Sequence, residues 1–221
     1  MKVLVTAGAT REFFDPVRYI SNPSSGKMGY AVAAAARERG NEVVIVSANV
    51  SLTPPDGAVV VSVTTGDDML RAVAGAFPLC DILIKAAAVC DFRPKHYEAQ
   101  KHKKDGHGLV VEFEPVTDIL KTVAAGKAPH QTVVGFAAET HDVEVYAQKK
   151  LAEKNLDFVA ANVVGRTEGA FGSDENTIIL LGRDGSRKIL GPAPKTQVGR
   201  ELFDEISRAH AEKIRRLVDN A

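Results

Sequence analysis

The sequence predicts a doubly wound α/β protein, with a mostly parallel, open sheet and helices on both faces. Two observations carry this expectation. Short apolar runs of strand composition alternate with amphipathic helical runs along nearly the whole chain, joined by short polar loops. That order favours parallel strands with right-handed crossovers. Near the end, Asn176 to Leu181 and Arg187 to Leu190 flank Arg183-Asp184-Gly185, the mark of an antiparallel β-hairpin. The expected fold is Rossmann-like, with that hairpin added near the C-terminus.

Lys2 to Thr6 is the opening strand, and Tyr30 to Arg39 an alanine-rich helix. Glu42 to Ser47 follows the Gly40-Asn41 turn as a second strand. Thr53 to Gly57 is a loop, and the valine-rich Ala58 to Val63 a third strand. Asp67 to Ala76 is helical, with Met69, Leu70, Val73 and Ala76 on one face. Asp81 to Val89 reads as a buried strand whose alanines let something pack closely on the backbone. Cys90 to Gly108 follows neither period and carries Lys95, Lys101, Lys103 and Lys104. Leu109 to Glu114 alternates as a strand, and Thr117 to Ala125 is a helix. Gln131 to Ala138 is a strong strand, Val143 to Asn155 a helix, and Asp157 to Ala161 another strand. Lys195 to Val218 closes the chain as a long helix with Val198, Leu202, Ile206 and Ile214 apolar.

At 221 residues, 45% hydrophobic and 25% charged, the chain suits one domain over residues 1–221 with a real core. Its 28 Lys and Arg balance its 28 Asp and Glu. No bulk field therefore draws it to nucleic acid or to an anionic membrane, and basic clusters are read as sites. Cys80 and Cys90 are expected to be reduced, partly buried thiols of a cytoplasmic protein. With a strand starting at Lys2 no signal peptide is expected, and no apolar run approaches membrane-spanning length.

Ligands of a doubly wound sheet gather outside the carboxyl ends of its strands. Those ends hold Gly8, Ala87 to Asp91, and Phe136 to Thr140. The loop from the first strand to the first helix offers Asn22, a neutral donor and acceptor, then Ser24, Ser25, Gly26 and Lys27. Hydroxyls, open backbone N–H groups and a cation at a helix start suit an anion. The same residues suit a plain N-cap, with Ser24 or Ser25 capping and Gly26 turning. The loop is not a P-loop: Ser21 stands where the first glycine belongs, and Met28 where the Mg²⁺-binding hydroxyl belongs. Asp91 can hold a metal, accept from a base or sugar, or open a turn. Lys101-His102-Lys103-Lys104 is either a solvated run or part of a mobile lid over 90–108. Phe136 is either a core aromatic or a stacking surface. Lys150 and Lys154 share a helix face. Tyr146 and Lys150 have the Tyr-x-x-x-Lys spacing of NAD(P)-dependent short-chain dehydrogenases, but Val133 occupies the position of their serine and their glycine turn is missing.

Several stretches together resemble one family. They are Thr6 to Glu12, Asp15 to Asn22, Ser24 to Gly29, Ala86 to Arg93, Gly135 to Thr140, Gln148 to Asp157, and Phe171 to Asn176. In kind and order they are similar to phosphopantothenate–cysteine ligase, which forms the cysteine amide in coenzyme A biosynthesis. The likeness runs from Lys2 to about Arg208. It implies a free-standing ligase domain of the bacterial bifunctional type, without the flavin-binding decarboxylase. It implies that a nucleoside triphosphate activates 4′-phosphopantothenate as an acyl-nucleotide, and that L-cysteine then displaces the nucleotide. On the same resemblance Asn22 and Lys101 are catalytic, Lys101 from the lid. Gly8, Ser24, Ser25, Gly26, Lys27, Ala87, Asp91, Phe136, Lys150 and Lys154 bind the nucleotide, and Asp91 holds Mg²⁺. CTP is the expected co-substrate, with ATP the alternative. A homodimer is the expected assembly and a separate decarboxylase a further partner. Two departures stand out. His102 replaces an isoleucine of the family's Lys-Ile-Lys-Lys and is expected to face away from phosphate. Residues 114–117, Glu-Pro-Val-Thr, depart from a Lys-Thr-Pro-Asp-Ile pattern. A non-catalytic nucleotide-binding module would have shed polar site residues, whereas Asn22, Asp91 and Lys101 are present.

Overall fold

The computed structural model describes residues 1–104, 106–139, 141–163 and 173–220. Thr140 and the Phe171-Gly172 pair of the family-like stretches lie outside the described residues. The first half of the chain forms β1 (Lys2–Gly8), β2 (Arg11–Phe13), β3 (Tyr19–Ser21), α1 (Lys27–Glu38), β4 (Glu42–Ala48), β5 (Val59–Val63), α2 (Gly66–Ala76) and β6 (Ile82–Lys85). The second half forms β7 (Phe92–Pro94), β8 (Phe113–Pro115), α3 (Ile119–Ala124), β9 (Thr132–Glu139), α4 (Val143–Glu153), β10 (Phe158–Val163), β11 (Glu175–Gly182), β12 (Arg187–Pro194) and α5 (Lys195–Asp219).

Eight strands make one sheet in the order β12-β11-β10-β9-β6-β1-β4-β5. The six from β5 to β10 are parallel, and β11 and β12 close the far edge antiparallel. The chain winds outward from β1 through β4 to β5, returns to β6, and winds the other way through β9 to β10. The direction therefore reverses between β1 and β6, which makes a crevice at their carboxyl ends.

Strand alternation supplies two cores. Val3, Val5, Ala7, Ile82 and Ile84 face α1 and α5, while Leu4, Leu83, Val133 and Val159 face α2, α3 and α4. Helix starts follow local chemistry where caps exist. Thr65 and Asp68 form a reciprocal capping box on α2, and Asp118 caps α3 by accepting the Lys121 N–H at 3.0 Å. Two close approaches set α1 in place. A Cβ at Gly29 would lie 2.7 Å from Ala7 Cβ, and one at Gly199 of α5 would lie 2.9 Å from the Ala31 carbonyl carbon.

Four details differ from the sequence reading. Neither Ser24 nor Ser25 caps α1; the cap is Gly26 at φ 82°, with no side-chain hydrogen bond. The strand expected over Asp81 to Val89 ends at Lys85. Beyond it the chain leaves β9 but stays on the β1 end, through Ala87 N–H to Thr6 Oγ1 at 3.1 Å and Ala88 N–H to Gly8 O at 2.8 Å. The strand expected over Leu109 to Glu114 shrinks to β8, because its partner β7 has three residues. The β2–β3 ribbon and β7, the partner of β8, sit inside segments without readable periodicity. Cys80 and Cys90 are free thiols, and both are buried rather than partly buried. Among the described residues no helix is long and apolar enough to cross a membrane.

Candidate active site

A cavity of about 400 Å³ opens at the reversal point. The β1–α1 loop supplies one wall with Asn22 and residues 24–28; the segment after β6, from Lys85 to Asp91, supplies the floor. The start of α3, the end of β9 and Lys150 and Lys154 of the α4 region form the opposite wall. Asn162, Asn176 and Lys195 close the side toward the hairpin.

The turn into α1 leaves helix-start N–H groups without a side-chain cap, and it does so beside the cavity. Gly26 can hold this left-handed conformation because it lacks a Cβ, which would strike Val50 Cγ2 at 2.6 Å. Uncapped N–H groups and the positive helix end make this the anion-favouring corner. Lys27 adds a cation there, paired at 2.5 Å with the exposed Asp174, and Lys195 adds another, donating to the Ser173 carbonyl. Burial pulls the Lys195 ammonium below its ordinary pKa, helped by Lys27 and opposed by Asp174.

The opposite wall is cationic too. Lys154 Nζ lies 2.6 Å from Asp118 Oδ2, and Lys150 Nζ lies 3.7 Å from Glu139 Oε1. Burial and the neighbouring Lys154 push the Lys150 pKa down. Burial alone would raise the Asp118 carboxyl, but Lys154, the Lys121 N–H and Lys85 bring it below the ordinary carboxylate value. Asp91 stands exposed at the rim. Among the described residues its carboxylate makes no hydrogen bond or ion pair, and no group of three or more metal-ligating side chains is present.

The cavity thus brings together Asn22, Ser24, Ser25, Gly26, Lys27, Ala87, Asp91, Phe136, Lys150 and Lys154. Asn22 donates to the Ala88 carbonyl at a long 3.4 Å, which holds its side chain loosely across the floor. Phe136 is both readings at once, half-buried against the α1–α5 core and lining the cavity. Two expected residues do not line it. Gly8 lies beneath: at φ 87°, a Cβ there would sit 2.0 Å from Ala48 O, so its part is to let β1 turn under the loop. Lys101 is exposed, but its neighbour is pinned. Asp15 accepts the His102 N–H at 3.3 Å, and Arg18 donates to the His102 carbonyl at 2.6 Å. Burial would raise the Asp15 carboxyl, yet the N–H groups of Val17, Arg18 and His102 and the Arg18 guanidinium lower it to about 2. The His102 ring turns to Glu98 at 3.3 Å. Glu114, at the departure from the family pattern, pairs with Arg93 at 2.8 Å and so ties β8 to β7. Tyr146 is exposed, edge-on to His141 and outside the cavity lining, so it forms no site with Lys150.

Lys85, Asp118 and Lys195 belong to the cavity, whereas the sequence places Lys85 within the Asp81 to Val89 strand and Asp118 and Lys195 only at helix starts. For Lys85 a signal existed: a charge closing an apolar run just before small residues at a strand's carboxyl end.

Fold and site together define an α/β protein with a lysine-lined cavity at its topological switch point. The chain belongs to the family described as the DNA/pantothenate metabolism flavoprotein C-terminal domain, whose profile matches residues 1–209. It is 45% identical over 206 residues to the coenzyme A biosynthesis bifunctional protein CoaBC of Bacillus subtilis, covering 93% of this chain and 50% of that protein. It is 44% identical over 219 residues to CoaBC of Escherichia coli K12, covering 98% of this chain and 54% of that protein. The chain therefore spans about half the length of these relatives. A crystal structure of the C-terminal domain of CoaBC is 40% identical, covers 96% of each chain and superposes with a TM-score of 0.81.

Proposed function

We propose that this chain is a phosphopantothenate–cysteine ligase domain. It joins 4′-phosphopantothenate to L-cysteine through an acyl-nucleotide, with CTP as the activating nucleotide. The observation that carries the reading is the single cavity in which an uncapped helix start, Asn22 and lysines on two opposite walls converge. A carboxylate, a triphosphate and a phosphorylated substrate repel one another, and only a site with cations on both sides can gather all three. The likeness to the C-terminal domain of a coenzyme A biosynthesis bifunctional protein supports a place in coenzyme A biosynthesis.

In the first step the pantothenate carboxylate attacks the α-phosphorus and pyrophosphate leaves. In the second, the cysteine amine attacks the acyl carbon and the nucleoside monophosphate leaves. Lys27, Lys150 and Lys154 offset charge in this reading, and Asn22 donates to the acyl-phosphate without adding charge. Asp91 fits a Mg²⁺ held mostly by phosphates, since such ions need few protein carboxylates. When bound, that ion supplies charge neutralisation at the phosphates. Lys101, carried on the segment fixed at His102, reaches the triphosphate from outside. The protein acts in the cytoplasm as a homodimer, with a separate decarboxylase consuming its product, whose cysteine carboxylate is the group such an enzyme removes.

The test is pyrophosphate release from purified protein with Mg²⁺, 4′-phosphopantothenate and either CTP or ATP, before and after cysteine is added. Release with CTP, and amide only once cysteine is present, is the expected result. No release with either nucleotide overturns the proposal, and release with ATP alone corrects its base preference.

A further inference from the structure

Among the described residues, the side chain of one cavity lysine has no hydrogen-bond or ion-pair partner. Lys154 leans on Asp118 and Lys150 on Glu139, whereas Lys85 makes no hydrogen bond or ion pair among the described residues. Its position is fixed by the main chain. It ends β6, in register with Thr6 of β1 and Gly135 of β9. Ile82 and Ile84 belong to the α1–α5 core and Leu83 to the other, so alternation sends Lys85 to the α3–α4 side. There it is half-buried in the cavity floor. The charges that face it are Asp118 at the α3 cap, Lys150 and Lys154 from the α4 side, and Asp91 on the loop after β6. A desolvated ammonium with no acceptor is unfavourable unless an anion completes it.

We propose that Lys85 completes the nucleotide site, its ammonium binding a phosphate oxygen of the triphosphate beside Lys150 and Lys154. The inference rests on the ligase reading above, and adds to it a group that neither the loop motif nor the spacing on α4 supplies. Withdrawal from water lowers the Lys85 pKa to about 8; Lys150 and Lys154 add to the effect, and Asp118 and Asp91 oppose it. The unliganded group thus loses its charge as pH rises through about 8. Nucleotide phosphates are already fully ionised there, with a last pKa of about 6.

The test is calorimetric titration of the full chain with Mg²⁺-CTP and with inorganic tripolyphosphate, from about pH 7 to about pH 9.5, on the unaltered protein, Lys85→Met and Lys85→Arg. The unaltered protein is expected to bind CTP and to lose affinity above about pH 8. Lys85→Met is expected to bind about tenfold more weakly at neutral pH, with the alkaline decline gone. Lys85→Arg, charged throughout, keeps the neutral-pH affinity and loses the decline. Tripolyphosphate follows the same ranking. Thermal unfolding of Lys85→Met, which removes an unpaired charge, is expected to be no lower than that of the unaltered protein. Lys85→Met affinity within about twofold at neutral pH, or a surviving alkaline decline, overturns the proposal; the latter assigns the decline to Lys150. An effect on CTP but none on tripolyphosphate also overturns it, because the contact is then to base or sugar. If the unaltered protein binds neither CTP nor ATP, the ligase reading fails first and this inference falls with it.

Discussion

Asn22 occupies a cationic cavity without carrying charge, and that neutrality is its value. In the proposed ligase reaction, a carboxylate in the same place would repel the triphosphate and the acyl-phosphate. Asn22→Asp is therefore expected to lower amide formation by about 10²-fold or more. Thermal stability is expected to change little, since the side chain's one hydrogen bond is a long one to Ala88 O. Quantifying cysteine amide over time, beside a melting curve, checks this; unchanged turnover removes Asn22 from the chemistry. At this scale the sequence was informative where residues are neighbours along one element. Asn22 with 24–27 lies in one loop, and Lys150 with Lys154 on one helix face, and all reach the cavity. It was silent where a role depends on a partner far along the chain. The Asp118–Lys154 pair spans two elements, and the free ammonium of Lys85 is known only once every carboxylate near it has been placed.

At the scale of elements, two connections govern how the site is held. The first is the segment that carries Lys101. Phe14 O accepts the Glu98 N–H at 2.9 Å, and Asp15 and Arg18 grip both sides of the His102 peptide. Lys101 itself is exposed and touches none of this. Lys101→Ala is thus expected to cut pyrophosphate release by about tenfold or more while leaving the melting temperature unchanged; the reverse pattern refutes a role at the triphosphate. The second connection is the α1–α5 crossing, where Gly199 lets α5 meet Ala31 backbone to backbone. Gly199→Ala places a methyl 2.9 Å from the Ala31 carbonyl carbon, so one helix must shift. A loss of about 1–3 kcal/mol in urea unfolding is expected, because rigid backbone rather than a flexible side chain must give way. No loss would mean that the crossing opens freely. The helices and long strands were legible because they repeat a period over several turns or alternations. β2, β3 and β7 were not, since three residues are too few to show one, and only β8 fell within an alternating run.

On the scale of the whole molecule the two ends of the sheet do different work. Lysines at the carboxyl ends of the strands face the cavity, partly unneutralised. At the amino ends, lysines are consumed in holding the fold. Asp157, just before β10, accepts from Lys127 at 2.7 Å, Lys213 of α5 at 2.9 Å and the Val133 N–H of β9 at 2.8 Å. One carboxylate thereby joins β9, β10, α5 and the turn after α3. Burial would raise its pKa, but Lys127, the Val133 N–H and Lys213 outweigh that and hold it below the ordinary 3.8. A carboxyl lowered by folding stabilises the native state at every pH above its unfolded value. That contribution fades as pH falls through the lower folded value. Asp157→Asn leaves two ammonium groups facing a neutral amide. It is expected to cost about 2–3 kcal/mol at neutral pH and to lower the melting temperature by roughly 5–10 °C. Denaturation of both proteins at neutral pH and well below pH 3.8 separates charge from packing. If charge carries the effect, the gap narrows in acid, because the unaltered Asp157 is then protonated as well. An equal gap at both pH values would show that shape and hydrogen bonding, not charge, bind the amino ends of the sheet to α5.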